Sequence, residues 1–72
     1  MTSDLITYTL LDGNDALRSF YVIAKGLTYE AALARATRRM PDPTRYRSFA
    51  WVAIIPDGGS ISDAVHTIRG TA

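Results

Sequence analysis

The chain has 72 residues, no cysteine and a net charge of +1. That length leaves room for one domain, and the missing cysteines exclude disulfides and thiolate zinc sites. No apolar run approaches the roughly 18 residues of a membrane span.

The N-terminal stretch MTSDLITYTLLDG has no positive start before its apolar residues, unlike a secretory signal. With no cysteine to protect or oxidise, residues 1–72 read as a single small cytoplasmic domain. A chain this short buries only about 60% of the surface its unfolded form exposes. Chain entropy nearly offsets that gain, so association with another chain is the easiest remaining reinforcement. Charge is unevenly spread. Six basic residues (Lys25, Arg35, Arg38, Arg39, Arg45, Arg47) face only Glu30 and Asp42 between positions 25 and 47, a local +4. Asp4, Asp12 and Asp15 stand near the start with no base.

Leu5 to Leu11 (LITYTLL) is rich in β-branched and aromatic residues and predicts a strand. Asp12-Gly13-Asn14-Asp15 is turn chemistry, and Leu17 to Ala24 predicts the returning strand. A four-residue loop pairs Leu10 with Leu17 and Tyr8 with Ser19. One face then holds Ile6, Tyr8, Leu10, Leu17, Tyr21 and Ile23; the other holds Thr7, Thr9, Arg18, Phe20 and Val22.

Gly26 ends the hairpin, and Thr28 supplies an N-cap hydroxyl with Glu30 in the first turn. Tyr29, Ala32, Leu33, Ala36 and Met40 form one helical stripe. Arg35, Arg38 and Arg39 cluster off that stripe, and Pro41 and Pro43 stop the helix. A third strand is predicted from about Tyr46 to Ile55, then a turn at Pro56-Asp57-Gly58-Gly59. Ile61, Ala64, Val65 and Ile68 again fit helical spacing. Ser60 and Asp63 are placed as a capping box, and Gly70 suits the helix end. The expected fold is α+β in the order ββαβα: a three-stranded sheet with two helices packed on one face. A right-handed crossover would give strand order 2-1-3, with a meander as the alternative.

The third strand, RYRSFAWVAII, is apolar on both sides. Tyr46, Ser48, Ala50, Val52 and Ile54 form one set; Arg47, Phe49, Trp51, Ala53 and Ile55 form the other. Helices pack more easily over the set centred on Ala50. Phe20, Phe49 and Trp51 would then lie on an open face edged by Arg18 and Arg47, the composition of an interface hot spot. The competing arrangement turns Phe49 and Trp51 into the core.

Residues 47–54, RSFAWVAI, are similar to the octamer of RNA-recognition-motif domains. Arg47, Phe49, Ala50 and Val52 match, Trp51 is an aromatic stand-in, and Ser48 and Ile54 depart. The resemblance implies base stacking by Phe49 and Trp51 and a phosphate contact by Arg47. It covers eight residues, and the family's element order differs from the one expected here. In size and style the chain also resembles short accessory proteins of phage and mobile-element genomes, some of which inhibit host defence complexes such as CRISPR effectors.

Catalytic and metal signals are weaker. Ser62, Asp63 and His66 lie within one helical reach, but no nucleophile elbow precedes Ser62. Asp12, Asn14 and Asp15 fail the calcium-loop pattern beyond its first positions. Gly58-Gly59-Ser60 lacks the spacing and lysine of a phosphate loop. Turns, caps and solvated side chains explain all three. The expectation is a protein without catalytic activity, cofactor, metal or small-molecule substrate. It would bind another protein, or a second copy of itself, through Arg18, Phe20, Arg47, Phe49 and Trp51. Arg35, Arg38 and Arg39 would form a secondary basic surface. Single-stranded RNA or DNA binding through the same face and a structural homo-oligomer are the alternatives.

Overall fold

A computed structural model describes residues 6–72. Strands β1 (Tyr8–Asn14) and β2 (Ser19–Leu27) form a hairpin, followed by helix α1 (Tyr29–Arg39). Strand β3 (Ala50–Pro56) and a short β4 (His66–Arg69) complete an antiparallel sheet in the order β2-β1-β3-β4. Single 3-10 turns sit at Pro43–Arg45 and Ile61–Asp63. The fold is therefore α+β with four strands and one α-helix. The expectation of three strands with two helices packed on one face is wrong. The 2-1-3 order of the first three strands does occur, extended by β4.

The second helix is replaced because β3 has an open edge to satisfy. Ser60 to Ile61 begins as a helix would: the Ser60 N–H donates to the Asp63 carboxylate at 2.7 Å, and the Asp63 N–H donates to the Ser60 carbonyl at 2.9 Å. The turn then stops, and Val65 N–H donates to the Ile54 carbonyl at 2.9 Å. Val65, Thr67 and Ile68 are β-branched, which suits a pleated strand better than a short isolated helix. Pairing Ile68 with Val52 and His66 with Ile54 supplies partners to the backbone of β3.

The hairpin register also differs from expectation. The loop is Asp15–Arg18, and Asp12, Gly13 and Asn14 belong to β1. Asn14 pairs with Ser19 and Leu11 with Val22, a shift of six residues from the expected register. An even shift keeps each side chain on its own face, so Phe20, Val22 and Thr9 still share one side. Further along, Leu10 to Tyr8 takes two steps on β1 while Ala24 to Leu27 takes three on β2. Leu11 to Leu10 takes one step against two. Each irregularity is a β-bulge with its extra residue on β2. The expected start of the first strand at Leu5 lies outside the described residues.

Helix α1 forms as its sequence dictates. The Thr28 hydroxyl accepts from Ala31 N–H at 3.1 Å, and Met40 N–H closes the last turn on Ala36 at 3.1 Å. Ala32, Ala36 and Met40 are buried against Leu10, Val52 and Ile54, with Leu33, Ile23, Tyr46 and Ile68 packed around them. The small alanines let the helix sit close to the sheet. At the helix end, the Tyr46 hydroxyl donates to the Arg39 carbonyl at 2.7 Å, and Arg39 pairs with Asp12 of β1.

Candidate functional site

The sheet has a second apolar side away from α1. Leu11, Trp51, Ala53 and Ile55 form a separate buried cluster there, with Ala64 packed against it. Period-two alternation puts these β3 residues opposite Val52 and Ile54. No α-helix of the described residues lies over this cluster. The segment around the Ile61–Asp63 turn and the side chain of Phe20 screen it instead, leaving Trp51 only 7% exposed. Phe20 (53%), Val22 (47%) and Ile61 (41%) remain open to solvent.

Two neighbouring clefts mark this side. One, of about 300 Å³, is lined by Arg18, Phe20, Trp51, Ile61, Ala64 and Arg69 among others. The second, of about 320 Å³, runs past Leu11, Val22, Lys25, Ile55 and Ser60. Phe20 and Ile61 belong to both. The Phe20 and Trp51 rings lie 6.1 Å apart at a tilt of 44°.

A polar clasp fixes Trp51. Its indole N–H donates to Asp15 Oδ1 at 2.9 Å, and Arg69 Nη1 donates to Asp15 Oδ2 at 2.9 Å. This ties the β1–β2 turn to β3 and β4. The Arg69 hydrogen bond holds the Asp15 carboxyl below its ordinary range. The Trp51 hydrogen bond and the Arg69 charge act in the same direction, against a partial loss of hydration. A second carboxylate closes the opposite end of the sheet. Asp57 accepts from the Thr7 and Thr9 hydroxyls and from Gly26 N–H. Those hydroxyls, Thr7 first, hold the Asp57 carboxyl below its ordinary range, with smaller help from Gly26 and Lys25 and some opposition from desolvation.

The proposed binding residues separate into groups. Arg18, Phe20 and Trp51 come together at the first cleft. Arg47 and Phe49 lie in the connection before β3, exposed to solvent, and line neither of the two clefts. The Phe49 carbonyl accepts from Asp15 N–H at 2.8 Å. Arg35, Arg38 and Arg39 share a hollow of about 220 Å³ with Ile23. Arg39 is engaged by Asp12; among the described residues Arg35 and Arg38 have no ion-pair partner. Asp15, Ile61, Ala64 and Arg69 were not singled out in sequence. Asp15 reads as a turn aspartate, Ile61 and Ala64 fit a helical stripe, and nothing local marks Arg69.

Ser62 is hydrogen-bonded to Ser60 at 2.8 Å, and His66 sits on β4 opposite Ile54. The helical spacing that would have brought Ser62, Asp63 and His66 together is absent. Among the described residues no group of three or more His, Cys, Asp or Glu could hold a metal ion, and no helix is long and apolar enough to cross a membrane. No protein-family model, no curated protein and no solved structure matches the chain.

Proposed function

We propose that the chain is a non-catalytic protein-binding module that docks through the sheet face opposite α1. One observation carries the reading: Phe20, Val22 and Ile61 stand exposed over an apolar cluster that no α-helix of the described residues covers. Large apolar groups with arginines beside them are the composition of interface centres. Side-chain docking is favoured over strand addition: the β2 edge carries two bulges and Lys25, and the other edge, β4, is only four residues long, features that blunt a sheet edge. Base stacking would need the Trp51 ring open to a ligand, whereas it is covered and its N–H is engaged.

Affinity capture with three baits tests the proposal: the natural chain, Phe20→Asp with Val22→Asp, and Arg35→Glu with Arg38→Glu. A partner lost with the sheet-face bait and kept with the helix-face bait supports it. The reverse pattern overturns it and moves the interface to the basic helix. A dimer of the chain itself, dissolved by the first pair of changes, is the homo-oligomeric form of the same interface.

A further inference from the structure

The cleft beneath Phe20 joins an apolar lining to a cationic rim, and Arg18 is the unusual member. Its backbone adopts φ 52°, the only positive φ outside glycine among the described residues. That region suits glycine and is uncommon for an arginine. The Arg18 side chain gives nothing back to the fold: among the described residues it makes no hydrogen bond and no ion pair. The conformation belongs to the hairpin turn, whose loop the Arg18 N–H closes on the Asp15 carbonyl at 3.2 Å, and it leaves the guanidinium uncommitted beside the cleft.

The charge of the cleft says what that guanidinium is free to do. Its charged lining is Arg18, Arg69 and Asp15, a net of +1. Asp15 accepts from Trp51 at one oxygen and pairs with Arg69 at the other, which neutralises Arg69. Arg18 is therefore the guanidinium free to receive an anion, and its planar fork fits a carboxylate. A volume of about 300 Å³ suits one bulky side chain.

Resting on the docking face proposed above, we infer that this cleft takes an acidic, apolar peptide segment of a partner protein. One aliphatic or aromatic side chain seats against Phe20 and Ile61. The carboxylate of a neighbouring Asp or Glu meets Arg18. Phe20 and Ile61 supply contact area, and Arg18 selects for charge.

Trp51 is the single tryptophan and lines the cleft, so its emission reports occupancy. The probes are the peptides acetyl-Glu-Leu-Phe-Glu-amide, its Gln-for-Glu analogue, and acetyl-Glu-Ala-Ala-Glu-amide, titrated at low salt into the full chain. The acidic apolar peptide is expected to saturate at concentrations about tenfold below either control. Arg18→Gly should reduce its affinity about tenfold while thermal stability holds or rises. Arg18→Asn, which also accepts this backbone conformation, should behave alike. Equal affinity for the Glu and Gln peptides, no saturation at millimolar concentration, or unchanged binding by both Arg18 variants would overturn the inference. If the peptides fail but Phe20→Asp with Val22→Asp still abolishes partner capture, the docking face stands and the acidic segment falls. If those changes leave capture intact, the face itself falls.

Discussion

The indole of Trp51 occupies the space that a side chain at Gly13 would need. An ideal Cβ on Gly13 would lie 2.0 Å from Trp51 Cζ2. Gly13 sits opposite Trp51 across β1 and β3, so the close approach is a cross-strand one. Gly13→Ala is expected to cost about 1–3 kcal/mol, as overpacking of a tight site does, measured by urea denaturation. Pairing it with Trp51→Val should recover part of its additional cost. Simple additivity of the two changes would show that the contact is not shared.

Trp51 itself is a structural residue on the face opposite the helix. Trp51→Ala should cost about 3–5 kcal/mol, the range for a large buried aromatic. Phe20→Ala, at an exposed position, should cost about 1 kcal/mol through the lost aromatic pair. Thermal melts followed by circular dichroism would separate the two. Similar small losses would mean that Trp51 is not held as described.

Asp15 and Asp57 give the fold a defined acid dependence. Both ionise below the ordinary carboxylate value of 3.8 in the folded chain. Their stabilisation is fully present above that value and is lost as pH falls through their lowered folded values. In that window the unfolded chain binds more protons, so stability rises with pH. Asp15→Asn or Asp57→Asn should make the stability profile shallower in the acid range below the ordinary carboxylate value of 3.8. Profiles unchanged by both substitutions would contradict the clasps.

Gly70 faces a similar restriction, this time against backbone. A Cβ there would lie 2.1 Å from the Arg47 carbonyl oxygen, while Gly70 N–H donates to Ala50 at 2.9 Å. A carbonyl cannot rotate aside as a side chain can, so Gly70→Ala should loosen β4 from β3. Hydrogen exchange should speed at Val65 and Gly70 before it does within β1. Uniform acceleration would show that β4 does not open separately.

Much of this architecture was legible, and the failures share a cause. The split of Val52 and Ile54 from Trp51, Ala53 and Ile55 follows from a period of two. The stripe Ala32, Ala36 and Met40 follows from helical spacing. Both are local patterns. Ile61, Ala64, Val65 and Ile68 satisfied the helical pattern too, but the open edge of β3 decided their fate. Asp12-Gly13 reads as a turn because no local signal reveals their partners, Arg39 at the end of α1 and Trp51 on the neighbouring strand β3. Asp15 and Asp57 were illegible for the same reason. Asp15 meets Trp51 and Arg69 from 36 and 54 positions away, and Asp57 meets Thr9 from 48.

The bulges of β2 restrict what can be built from this molecule. Only Ser19–Val22 pairs without interruption, so an incoming chain finds little straight ladder to copy. Fibre-like growth by backbone templating is thereby discouraged on that flank. Oligomers formed on that flank are cemented by interlocking side chains and should dissolve on single-site changes at the contact.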